Sequence, residues 1–137
     1  MTLLDTSVWI QVFRQHNPVD IESVVPFEEV VVCLPVIQEI LQGVRDEQAF
    51  RVARGSLLAI PCVESPLDQD VFIEAADLYR RVRRAGFTVR SGVDCLIAAC
   101  AIRNDLMVIH QDRDYSALAR VSPLRQRSLA GQHRPRQ

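Results

Sequence analysis

The sequence predicts one α/β domain built around a parallel sheet. Three observations carry that expectation. Short apolar runs alternate with longer segments of helical period along the whole chain. One of those runs, Val30-Val-Val-Cys-Leu34, is β-branched and bounded by acids and Pro35, the signature of a strand buried on both faces. No repeat or linker interrupts the 137 residues, a length that suits a single domain with a core of its own.

The elements follow in order. Thr2-Leu-Leu-Asp5 starts as a buried strand. Ser7–Arg14 is a short helix with Val8, Trp9, Val12 and Phe13 on its apolar face, and Asn17-Pro18 breaks it. Val30–Leu34 is the second strand. Pro35 suits the first turn of the helix behind it, which runs to about Gly43. Glu47–Gly55 has a helical pattern and Leu57–Val63 that of a third strand. Ser65-Pro-Leu-Asp68 looks like an N-cap with proline at N1 and an acid at N3, opening a helix to about Ala85 that Gly86 stops. Ser91-Gly-Val-Asp94 repeats the cap before an almost wholly apolar helix, Val93–Arg103. Asn104-Asp105 is a turn, Leu106–His110 the last strand and Asp114–Arg120 a short helix. The domain is expected to span residues 1–127, with 128–137 a flexible C-terminal tail.

Composition narrows the functional classes. A hydrophobic fraction of 48% is that of an ordinary globular protein. A formal net charge of −1 gives no global basic field, so a nucleic-acid site has to come from local segregation of charge. All 16 cationic residues are arginine and none is lysine. Cys33, Cys62, Cys95 and Cys100 sit in or beside apolar runs without a CxxC pair, as free thiols of a reducing compartment do. His16, His110 and His133 lack the spacing of a zinc site. No basic segment precedes an apolar stretch at the N-terminus, and the longest apolar run, Cys95–Ile102, is too short to span a bilayer. The expected location is cytoplasmic, with no membrane partner.

In a parallel sheet, ligands bind outside the carboxyl ends of the strands. Acids stand at those ends. Asp5 closes the first strand, Glu39 lies about one helical turn past the second, Asp94 sits in the first turn of the apolar helix, and Asp112 and Asp114 follow the last strand. Each has a plain alternative. Asp5 can cap the helix at Ser7, Glu39 can be a solvated helix residue, Asp94 can answer the helix dipole, and Asp112 and Asp114 can be turn residues. Asp94 is the most telling, because a helix as apolar as Cys-Leu-Ile-Ala-Ala-Cys-Ala-Ile is buried almost all round. A carboxylate at its mouth needs a partner, and the chain has no lysine to offer. Two carboxylates about 5 Å apart repel by roughly 3 kcal/mol at an effective dielectric of 20. A divalent cation reverses that penalty. Mg2+ in particular favours carboxylate oxygens and substrate phosphates.

These residues resemble a known family. Leu3-Leu-Asp-Thr-Ser-Val-Trp-Ile10 looks like the opening motif of PIN-domain nucleases, and Pro35-Val-Ile-Gln-Glu-Ile40 resembles their glutamate helix. Gly92-Val-Asp-Cys-Leu-Ile-Ala-Ala98 and His110-Gln-Asp-Arg-Asp-Tyr115 resemble the third and last acidic motifs. Order, spacing and length resemble VapC-type toxins of type II toxin–antitoxin systems. The resemblance implies a three-layer α/β/α PIN-like domain with a central parallel sheet and Mg2+- or Mn2+-dependent RNA cleavage. It also implies a cognate VapB-type antitoxin and a homodimer. It makes Asp5, Glu39, Asp94 and Asp112 the acidic quartet and Asp114 an auxiliary ligand, with Ser7, or Thr6 in its place, as the supporting hydroxyl.

Arg80, Arg81, Arg83, Arg84 and Arg90 crowd the segment before Asp94. They read equally as a phosphate-gripping edge and as a solvated helix end. Arg113, between two candidate ligands, can meet phosphate or an acid, with phosphate favoured, so Arg84, Arg90 and Arg113 are the expected RNA contacts. Trp9 could stack on a base but shares a face with Val8 and Val12, which favours packing. Phosphoryl-transfer regulators and P-loop NTPases also place chemistry at strand ends, but they depend on a lysine that this chain lacks. A PIN-like module kept only for binding RNA or protein is the remaining alternative, and the full acid set argues against it.

Overall fold

Thr2-Leu-Leu4 forms the central strand, β1, because all three side chains can be buried at once between helices on the two faces. The computed structural model describes residues 1–129. After β1 (Thr2–Leu4) come α1 (Thr6–Phe13), β2 (Val30–Cys33), α2 (Leu34–Gly43), α3 (Glu47–Leu58), β3 (Cys62–Val63) and α4 (Gln69–Arg84). Then follow α5 (Gly92–Arg103), β4 (Met107–His110), α6 (Asp114–Arg120) and β5 (Arg125–Ser128). The strands lie in the order β3-β2-β1-β4-β5, and every pair is parallel.

That order positions the site. The chain steps outward from β1 to β2 and β3, then crosses back and steps out through β4 and β5 on the other side. Right-handed crossovers on opposite sides of β1 send helices to both faces, which gives the expected three layers. They also leave a crevice at the carboxyl ends of β1 and β4, where the direction of winding reverses. Registers Leu3↔Val108 and Leu4↔Ile109 bring those two ends level.

The helix α5 is the buried one. Cys95, Ile97, Ala98, Ala99, Cys100 and Ala101 are all in the core, and their small side chains let α5 lie close against α4. All four cysteines are free thiols, with Cys33, Cys95 and Cys100 buried and Cys62 half-buried. Among the described residues no helix is long and apolar enough to cross a membrane.

Four expectations need correction. The helix expected to end at Gly55 continues through it to Leu58, so the third strand is only Cys62–Val63. Ala53 and Leu57, both buried, share one helical face, and keeping Leu57 in the core outweighs the roughly 1 kcal/mol that an interior glycine costs. Asp68, not Ser65, caps α4, accepting from the Asp70 N–H. Glu64, at positive φ, turns the chain after β3, and the helix starts only once Ser65–Leu67 have been used to clear the sheet edge. A fifth strand, β5, went unpredicted because Arg125-Gln-Arg-Ser128 is polar throughout. It is an edge strand whose side chains are mostly exposed, so it carries no apolar signature. Ser128 and Leu129, placed in the tail, belong instead to that strand and to the core, Leu129 being 1% exposed. The rest of the expected tail, residues 130–137, lies outside the described residues.

Replacing the fully buried Ile97 by alanine should cost about 2–5 kcal/mol in urea unfolding, since the close-packed α5 cannot collapse into the space. Ile73→Ala, at a residue on α4 that is 57% exposed, should stay within about 0.5 kcal/mol of the parent.

Candidate active site

Asp5 serves both readings open to it. Its N–H donates to the Ile109 carbonyl at 2.9 Å, carrying the β1–β4 pairing one residue past the strand. Its Oδ2 caps α1, accepting the Ser7 N–H at 3.1 Å and the Ser7 hydroxyl at 2.6 Å. Ser7 Oγ in turn accepts the Gln111 N–H at 2.9 Å, so one hydroxyl ties the loop after β1 to the loop after β4. The other oxygen, Oδ1, accepts the Tyr115 hydroxyl at 2.6 Å. Thr6 plays the same part for a second acid, its hydroxyl donating to Glu39 Oε1 at 2.7 Å. Ser7 and Thr6 are thus not alternatives: one holds Asp5, the other Glu39.

The loop after β4 is braced from the sheet edge. His110 is buried, and its Nδ1 accepts the Asp112 N–H at 3.1 Å. That assigns the ring proton to Nε2, which faces Gln126 Oε1 of β5 at 2.6 Å. Asp112 Oδ1 accepts the Asp114 N–H at 3.0 Å. Asp114 Oδ2 accepts the Arg90 N–H, also at 3.0 Å.

These constraints bring all five acids together in two groups that share one residue. Ligand oxygens of Asp5, Glu39 and Asp94 lie within 4.8 Å of one another, and so do those of Asp94, Asp112 and Asp114. Asp94 is 5% exposed, its N-terminal turn capped by Ser91, whose hydroxyl accepts the Val93 N–H. Its Oδ1 is 3.4 Å from the Tyr115 hydroxyl, and its Oδ2 is buried without any hydrogen-bond partner. Burial, reinforced by the neighbouring Asp112, Asp5 and Asp114, pushes the Asp94 carboxyl up to about 9. Burial together with Asp5 and Asp94 also raises Tyr115 well above the ordinary phenol range, so its hydroxyl is a permanent donor. A buried oxygen left without a donor, amid hard carboxylate oxygens, fits a divalent cation. Asp5, Glu39, Asp94, Asp112 and Asp114 are the residues able to hold it.

The arginines divide. The Arg90 guanidinium turns toward the acids, 3.7 Å from Asp112 Oδ1 and 4.0 Å from Asp114 Oδ1. Arg113 is exposed at the start of α6, between those same two acids in sequence. Arg84 joins Arg80 and Arg83 in an exposed cluster at the end of α4 that none of the acids contacts. Trp9 is 1% exposed and stacks on Phe13, which settles it as packing. Tyr115, His110 and Gln126 carry weight that the residues alone did not reveal. Tyr115 was visible only as the aromatic of its segment, and Gln126 could not be singled out without β5.

The PIN domain family model matches residues 2–121. The chain belongs to the PIN-domain family. It is 36% identical over 136 residues to Ribonuclease VapC11 of Mycobacterium tuberculosis, covering 94% of this chain and 99% of that one. Among solved structures it is similar to VapBC-5 of Mycobacterium tuberculosis, a member of the VapBC family of toxin-antitoxin systems. That match has a TM-score of 0.66 and 25% identity over 93% of this chain and 98% of the other. DNA-bound VapBC from Salmonella typhimurium has the same fold, with a TM-score of 0.74 at 18% identity over 93% and 98% of the two chains.

The raised Asp94 carboxyl has a measurable consequence. The folded chain holds this proton more tightly than the unfolded chain, whose value is near 3.8. The stabilisation is therefore complete below about pH 4 and is lost as pH rises toward 9. In EDTA the melting temperature should fall across that window, and Asp94→Asn, neutral throughout, should flatten the fall.

Proposed function

We propose that this PIN-domain protein is a Mg2+-dependent endoribonuclease toxin of the VapC type, with Mn2+ able to replace Mg2+, neutralised by a cognate VapB-type antitoxin. The observation that carries the proposal is the buried, unpartnered Asp94 oxygen at the point where two carboxylate groups meet. Its relative VapC11 is named a ribonuclease, and the similar solved structures are toxin–antitoxin complexes, which supports both the substrate class and the partner. The reading includes a cytoplasmic location and a homodimer.

Asp5, Glu39, Asp94 and Asp112 are the acidic quartet of the site and Asp114 its auxiliary acid, and a divalent cation would be held among them. Held there, a divalent ion would supply Lewis-acid stabilisation of the scissile phosphodiester and of a water nucleophile. The chain's own groups do the rest. Ser7 and Tyr115 fix both oxygens of Asp5, and Thr6 fixes Glu39, so these carboxylates lose little freedom when substrate arrives. The exposed Arg84 and Arg113 are placed to contact RNA phosphates, which orient the strand and carry no base information. An apolar groove between α4 and α5, lined by Phe72, Ala75, Tyr79, Cys95 and Leu96, leaves Phe72 open to solvent and offers surface to an antitoxin.

Purified protein should cleave RNA with Mg2+ and stop in EDTA. Asp94→Asn should lower the rate by about 10³-fold or more, the loss expected when several kcal/mol of metal-borne stabilisation disappears. Asp5→Asn should do the same. Undiminished cleavage by both variants would refute the assignment.

A further inference from the structure

The two carboxylate groups look alike in composition but not in their surroundings. Both contain Asp94, and each adds two further acids: Asp5 and Glu39 in one, Asp112 and Asp114 in the other. Among the described residues no ion pair reaches Asp5, Glu39 or Asp94. Among the described residues the cation that reaches the cluster is Arg90, and it lies wholly on the second group. Its backbone N–H is bonded to Asp114 Oδ2, and its guanidinium spans Asp112 Oδ1 and Asp114 Oδ1 at 3.7 and 4.0 Å.

Hydrogen bonding does not separate the two groups. Asp112 Oδ1 and Asp114 Oδ2 accept the Asp114 and Arg90 N–H groups, while Asp5 accepts from Ser7 and Tyr115 and Glu39 from Thr6. The buried, unpartnered Oδ2 belongs to the shared Asp94, so the Arg90 charge is what distinguishes one group from the other. Resting on the reading of the cluster as a divalent-cation site, we propose that Arg90 is a built-in cation for the Asp94–Asp112–Asp114 group. The chain then takes one divalent ion, at Asp5–Glu39–Asp94, where the same acids without Arg90 would take two. Arg90 so becomes a residue that sets metal count, not an RNA contact. It acts on the ions through the acids it faces and is a positioning residue. Its backbone bond to Asp114 survives any side-chain change except proline, so the loop stays docked when the charge is removed.

The test is Mn2+ binding to the full chain by calorimetry, with electron paramagnetic resonance at saturation. The parent should bind one Mn2+ per chain with an uncoupled six-line spectrum. Arg90→Gln should bind two, with the spectrum broadened by coupling between neighbouring ions. Arg90→Lys, which keeps the charge, should return to one, and Arg113→Gln should stay at one. Two ions in the parent, or a single ion in Arg90→Gln, overturns the proposal while leaving the metal site standing. No Mn2+ bound to any of the four proteins removes the metal reading and this proposal with it. The Arg90 side chain is 63% exposed and outside the core, so circular dichroism should show the variants folded.

Discussion

Asp94 begins a helix that has almost no polar face, and the packing of that helix decides where its carboxylate goes. Six of the residues behind it are in the core, so the first turn is carried inward with them, to the crevice between β1 and β4. An ionised carboxylate there faces two penalties. It loses most of its hydration, and it meets the other acids at distances where each pair repels by roughly 3 kcal/mol at an effective dielectric of 20. Among the described residues no salt bridge to Asp94 relieves either penalty. Burial beside the other acids instead pushes its carboxyl up to about 9, which favours the neutral form.

The remaining acids are brought to Asp94 by the parallel sheet, and the means are local. The loop after β1 is pinned by capping α1, since Asp5 uses one oxygen on Ser7 and so fixes the direction of the other. The loop after β4 is pinned twice, by Ser7 Oγ on the Gln111 N–H and by the chain from Gln126 through His110 to the Asp112 N–H. Tyr115, packed against the His110 ring, reaches back from α6 to bridge Asp5 and Asp94. Acids from four separate segments therefore converge through hydrogen bonds to hydroxyls and backbone N–H groups. Arg90 is the sole basic side chain among the described residues that enters the cluster, and it enters from one side only.

What could be read from residues and what could not divides along physical lines. Val30–Cys33 and the apolar run of α5 were legible because burial on all sides leaves a continuous apolar signature. The acids were legible because strand ends in a parallel sheet are where ligands bind, and because Asp94 precedes a helix that cannot be solvated. The edge strand β5 was not legible, since Arg125, Arg127 and Ser128 are exposed and nothing in their pattern separates a strand from a loop. With β5 unseen, the Gln126–His110 brace could not be anticipated, and His110 looked like an isolated histidine. Arg90 parts from its sequence neighbours for a different reason. Its crowding with Arg80–Arg84 suggested a shared face, but Gly86 ends α4 at positive φ and turns the chain, so Arg90 returns to the acids while Arg84 stays outside.

The proposed role of Asp94, a buried carboxyl that gives up its proton to a divalent ion, has a direct test. Calorimetric titration of the metal-free chain with Mg2+ at pH 7, repeated in buffers of different ionisation enthalpy, counts the protons released per ion bound. About one proton should be released per Mg2+ in the parent and close to none in Asp94→Asn, because metal ligands must be deprotonated to bind. Mg2+ binding without proton release in the parent, or the same release in Asp94→Asn, would contradict it.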